Sequence, residues 1–166
     1  LLIESMIEQG MVSPKPSWNK EAVHTVTRKV ESQVTLGEHI EALQNASLVE
    51  TRVGRKKNAH RLALKALSMD EDNAMSLYQV GTTASTSEEA ISYLRRAVAA
   101  DPDFAEAHNN LGSMLLQIDR MEEAAQHFAE AVRIKPEEAL FHYNLGMTRA
   151  ARGDLADAES CLEVVR

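Results

Sequence analysis

Four marks recur along this chain at a fixed interval of thirty-four residues. Ala90, Leu94, Ala97 and Pro102 are followed by Ala124, Phe128, Ala131 and Pro136, and then by Ala158, Leu162 and Val165. Leu111-Gly112 returns as Leu145-Gly146 and stands earlier as Val80-Gly81. A period of this length marks stacked supersecondary units, none of which can bury its apolar face alone. Residues 105–138 show what one unit is. Leu111, Met114, Leu115 and Ile118 make an apolar stripe at helical spacing. Asp119, with Glu122 three residues on, reads as a capping box that starts a new helix. Ala124, Phe128, Ala131 and Val132 form a second stripe, and Pro136 ends it. The unit is a helix, a tight turn and a second helix, and the fold class is all-α.

The order His108-x-x-Leu111-Gly112-x-x-Leu115, Ala124-x-x-x-Phe128, Pro136 resembles the tetratricopeptide repeat (TPR) family. His108 stands where that family favours Trp, and Leu115 where it favours Tyr. The resemblance covers residues 40–166 and is clearest over 74–166. It implies a right-handed superhelix of antiparallel helix pairs, a TPR solenoid, with the first helix of each pair on the concave side. The chain divides into N-terminal helices at 1–39 (a degenerate repeat or cap), a repeat at 40–73, a short repeat at 74–104, a full one at 105–138 and a truncated one at 139–166. Helices are expected near 40–52, 57–70, 74–84, 87–100, 105–118, 121–134, 139–152 and 155–165. Trp18 reads as core of the N-terminal helices. Repeat 74–104 lacks three residues, close to one helical turn, and the loss falls in Thr82–Ser87. Gly81, Gly112 and Gly146 leave room for the second helix, whose Leu94, Phe128 or Leu162 fills the space.

Composition narrows the function. Hydrophobic residues make up 44% of the 166, enough for a packed fold, and aromatics only 4%, which suits helices crossing over alanines. The net charge of −7 argues against general nucleic-acid binding and against an anionic membrane surface. One cysteine, Cys161, excludes an internal disulfide framework and reads as a half-buried structural thiol. No apolar run approaches the ~20 residues needed to span a bilayer. LLIESMIEQG lacks the form of a signal peptide. The start without Met and the stop at Arg166, inside a second helix, read as a fragment of a longer protein. A cytoplasmic setting is expected, with targeting signals free to lie outside the fragment.

No GxSxG, HExxH, P-loop or CxxC is present, so the expectation is no enzyme, no metal and no cofactor. His108 and His142, thirty-four residues apart, replace the family aromatic at a helix contact rather than pairing on a metal. Asp101 and Asp119 read as N-caps, and Glu88-Glu89 and Glu122-Glu123 as complements to helix dipoles. Arg52, Arg55, Lys56, Lys57, Arg61 and Lys65 read as a solvated turn and helix face.

One constellation stands out. The sixth residue of each repeat carries an amide: Asn45, Gln79, Asn110 and Asn144. An amide both donates and accepts, so a row of them suits an extended peptide backbone. The row looks like the asparagine ladder in the TPR arm of O-GlcNAc transferases. Tyr78, Asn109 and Tyr143 are neighbouring groove positions. The groove lacks the Lys and Arg by which chaperone-tail clamps of the family hold a carboxylate. The expected function is a protein-interaction scaffold that binds a protein or peptide partner, with self-association through the solenoid ends as a further possibility. The alternative is the substrate-recruiting arm of a larger enzyme such as a glycosyltransferase.

Overall fold

A computed structural model describes residues 35–164. The helices expected before residue 35, with Trp18, lie outside these residues, as do Val165 and Arg166. Eight helices follow one another: α1 Leu36–Arg52, α2 Lys56–Leu67, α3 Ala74–Thr83, α4 Ser87–Ala100, α5 Ala105–Gln117, α6 Met121–Ile134, α7 Ala139–Arg152 and α8 Leu155–Glu163. No strand occurs among the described residues. Residues from Ile40 onward cluster as one unit, in which α2 to α8 each pack on the next. Ser47 Oγ donates to the Ala59 carbonyl at 2.9 Å and ties α1 to α2.

The helix ends follow from local chemistry. Helix α1 starts four residues before the expected position, because Thr35 and Glu38 close a reciprocal box. The Thr35 N–H donates to Glu38 Oε2 at 2.6 Å, and the Glu38 N–H to Thr35 Oγ1 at 3.2 Å. The Thr35 N–H bond, with a second from Thr35 Oγ1 to Glu38 Oε2 at 3.0 Å, holds the Glu38 carboxyl below its usual range. The same device opens α4. Thr86 Oγ1 accepts from the Glu89 N–H at 3.2 Å, and Glu89 Oε2 from the Ser85 N–H. Asn73 caps α3 by accepting from the Ser76 N–H at 3.0 Å. Helix α2 stops at Leu67, three residues short of expectation, because 70–73 form their own turn, in which the Asn73 N–H reaches the Asp70 carbonyl.

Two expected caps are corrected. Asp119 does not cap α6; Arg120 occupies the cap position and makes no side-chain cap bond. Asp119 instead takes the left-handed conformation, φ 61°, as do Gly54 at 82° and Gly153 at 90°. In each of these turns the next N–H reaches back five residues: Arg55 to Glu50, Arg120 to Leu115 and Asp154 to Arg149. Asp tolerates this conformation better than most residues, so one turn geometry serves three repeats. Asp101 does not cap α5 either. It closes α4, and its Oδ1 accepts from the Asp103 N–H at 3.1 Å in a local turn.

The glycines stand where the repeats need them. A Cβ on Gly81 would lie 2.9 Å from Leu94 Cγ, one on Gly112 2.9 Å from Phe128 Cε1, and one on Gly146 2.8 Å from Leu162 Cγ. Repeat 40–73 solves the same contact in reverse. Ser47, fully buried, occupies the glycine place, and Ala63 replaces the large residue. Ala59, Ala90, Ala124 and Ala158 are all buried, as are Ala66, Ala97 and Ala131.

Candidate functional site

The first helices of the repeats, α1, α3, α5 and α7, are joined in a row by polar side chains. Gln79 Nε2 of α3 donates to the Gln44 carbonyl of α1 at 3.0 Å. Asn110 Nδ2 of α5 donates to Tyr78 Oη of α3 at 3.0 Å. Asn144 Nδ2 of α7 donates to Asn109 Oδ1 of α5 at 2.7 Å. Each rung runs from the sixth residue of one repeat to the fifth residue of the repeat before. Gln44 adds two bonds from α1 to the start of α3, to Asn73 Oδ1 at 2.7 Å and Ser76 Oγ at 2.9 Å. Tyr78 is fixed against Phe104, with ring centroids 4.9 Å apart. Burial raises the pKa of its hydroxyl, against the opposing effect of the Asn110 bond.

The sequence reading treats all these amides as open to a ligand; the structure shows them unequally placed. Gln79 and Asn109 are buried, at 8% and 6% exposure. Asn110 and Asn144 are half-buried with their N–H groups committed to rungs. Asn110 Oδ1 accepts only a long 3.4 Å contact from Asn109, and Asn144 Oδ1 has no partner among the described residues. Asn45 and Tyr143 are exposed. The lost turn of the short repeat bears on this face. Helix α3 has 10 residues against 13 in α5 and 14 in α7. A hollow of about 350 Å³ lies at its end, lined by Thr82 and Ser85, by Asn110, Met114 and Gln117 of α5, and by Lys56.

The family model described as tetratricopeptide repeat matches residues 84–139, which hold α4, α5 and α6 with their glycine, alanine and proline marks. Solved structures extend the likeness to the wider helix array. MamA is 18% identical over 87% of this chain and 84% of its own, with a TM-score of 0.69. The pilF protein of Pseudomonas aeruginosa is 27% identical over 78% of this chain and 62% of its own, TM-score 0.69. Residues 84–139 belong to the tetratricopeptide repeat family. Within a mutant O-GlcNAc transferase of Thermobaculum terrenum, the matched region takes up 22% of that chain and 69% of this one, at 26% identity and a TM-score of 0.66. No curated protein sequence matches the chain. The TPR helix pairs form an all-α solenoid of the kind that serves as a protein-interaction scaffold.

At the TPR aromatic position, His108 and His142 do not meet each other. Each presents Nε2 to a proline carbonyl that ends the preceding repeat, Pro102 at 3.2 Å and Pro136 at 2.9 Å. A residue missed from sequence is His127 of α6. Its Nδ1 lies 3.1 Å from His108 Nδ1. Since His108 Nε2–H faces a carbonyl, His108 Nδ1 is the acceptor and His127 Nδ1–H the donor. Nothing in the spacing signals a contact between residues nineteen apart; only the turn brings them together. Among the described residues no three potential ligands converge on a metal site. No helix among them is long and apolar enough to cross a membrane.

The histidine pair makes stability depend on pH. Burial lowers the pKa of both rings, and for His127 the adjacent His108 lowers it further. The Pro102 carbonyl bound to His108 opposes this, as do Glu123, Glu130 and Asp101, while Arg95 and Arg133 reinforce it. The unfolded chain, with ordinary histidines near ~6.5, therefore binds more protons than the folded one as pH falls below that value. Stability should be full above the ordinary histidine range and decline as pH drops from about 6.5 through the folded pKa values. Urea melts at pH 7.5 and 5.5 check this. The His127→Gln variant should lose part of the pH dependence, and an identical slope in both proteins would refute the assignment.

Proposed function

We propose that the row of first helices binds an extended segment of a partner protein and does no chemistry of its own. The observation that carries this reading is that Asn45, Asn110 and Asn144, on three of the four first helices of one row, keep amide groups with no partner or only a long contact among the described residues, with Tyr143 exposed on the last. Gln79, Asn109 and Tyr78 hold the row in register. Asn110 and Asn144 each offer a carbonyl to a peptide N–H, and Asn45 offers both its groups. The reading places the protein in the cytoplasm, and self-association through the solenoid ends belongs to it as a variant that sedimentation would detect.

The test is a peptide selected from a random decapeptide library and titrated against the chain. One hydrogen bond of this kind contributes about 1 kcal/mol net, since water competes for both partners. Asn110→Ala or Asn144→Ala alone should weaken binding by less than about tenfold, and the double variant by more. Salt should matter little, because no ion pair is involved. Unchanged affinity in the double variant overturns the proposal. A second reading, the recruiting arm of a larger enzyme, is supported by the likeness to the transferase TPR region. The full open reading frame decides it: a long catalytic domain beyond Arg166 favours the arm.

A further inference from the structure

Cations are not spread evenly over this acidic chain. Residues 52–65 hold six of its 18 Lys and Arg and none of its 25 Asp and Glu, which leaves 12 bases against 25 acids elsewhere. The structure adds how each cation is used. Arg95, Arg120, Arg133, Lys135 and Arg152 each lie against a carboxylate. Arg96 donates to the Glu71 carbonyl at 2.8 Å, and Arg149 to Cys161 Sγ at 3.3 Å. Arg55 pairs with Glu50 at 3.5 Å. The remaining five, Arg52, Lys56, Lys57, Arg61 and Lys65, make no ion pair and no side-chain hydrogen bond among the described residues, and all are exposed. Among the described residues, every cation without a partner thus belongs to one segment.

That segment has a direction. At 100° per residue, Arg61 lies almost opposite the buried Ala59, Ala63 and Ala66 of α2, with Lys57 and Lys65 one turn to either side. Leu64 shares this outward face and is 38% exposed. We propose that the outward face of α2 docks an acidic segment of a partner protein. The face is separate from the amide row of the first helices. Its cations have no acid partner among the described residues, and an apolar residue sits among them, as suits a polypeptide carrying both kinds of side chain. From Lys57 to Lys65 the stripe spans about 12 Å. A nucleic acid duplex, with a charge every ~1.7 Å, would run past it into the acidic remainder of the chain. A short acidic segment would not.

The experiment uses the whole chain and a labelled peptide of four Glu-Ala-Leu-Asp repeats, with a Gln-Ala-Leu-Asn control. Binding of the acidic peptide should weaken about tenfold or more as salt rises from low to several hundred millimolar, because the ion pairs are exposed and screened. The control should not bind. Lys57→Glu/Arg61→Glu should reduce affinity at least tenfold. The outward position of both side chains keeps the fold intact, which circular dichroism verifies. Binding equal in the charge-reversal variant and the parent overturns the proposal, as does no binding at low salt. Tighter binding of a single-stranded RNA or of phosphatidylserine vesicles than of the peptide overturns it as well.

Discussion

Replacing Phe128 by alanine should lower unfolding free energy by ~3–5 kcal/mol, the range for emptying a large aromatic site in a packed core. Phe128 is 1% exposed and clusters with Leu94, Leu111, Leu115 and Ala124. It joins α5 to α6 inside one helix pair, and its cluster reaches the pairs on either side through Leu94 and Leu145. The cavity cannot close easily, because the flanking alanines already bring the backbones near. Repeat stability is a sum of units and nearest-neighbour interfaces, so the damage should spread to both interfaces of this pair. A urea melt reads the loss directly. A neutral result would mean that the buried faces are assigned wrongly.

Gly112→Leu should cost about 1–3 kcal/mol by overpacking, and belongs near the top of that range. The Cβ alone meets the Phe128 ring at 2.9–3.0 Å, before any further atom is added. The obstacle is a ring held on all sides, not the free end of a flexible chain. The first repeat suggests a companion experiment. There Ser47 and Ala63 stand buried at the corresponding positions, and Ser47 Oγ donates to the Ala59 carbonyl. Transplanting that solution as Gly112→Ser/Phe128→Ala should destabilise less than the sum of the single changes. Residues in contact typically couple by ~0.5–3 kcal/mol. Strict additivity would show that the two positions do not share one space.

Sequence and structure agree where a residue's role depends on its own repeat. Gly81 with Leu94, Gly112 with Phe128 and Gly146 with Leu162 follow from spacing, because each pair meets inside one hairpin. Asp119 reads from sequence as a cap, because aspartate suits a cap as well as the left-handed turn it takes. Its alignment with Gly153, thirty-four residues on, carried the answer, and the bond from Arg120 to Leu115 states it. The amide row was visible as a row, but not the partners of its members. Those depend on how far one repeat slides along the next, a distance that no local pattern encodes. The rungs Gln79 to Gln44, Asn110 to Tyr78 and Asn144 to Asn109 reach back 35, 32 and 35 residues. The cations of 52–65 were legible in number. Their lack of partners was not, because pairing is decided by acids from other helices.

The rungs also bear on how the array yields under load. Extending a stack of helix pairs turns each pair against the next, and the inner row of first helices is where neighbouring pairs would have to part. Each joint there carries a single direct amide rung, with Gln44 adding two further bonds between α1 and α3. The direct polar bonds are most numerous between the first two pairs. Removing one rung should soften one joint and leave the helices on either side intact. The short repeat keeps its rung despite the lost turn, so its joint flexes with its neighbours.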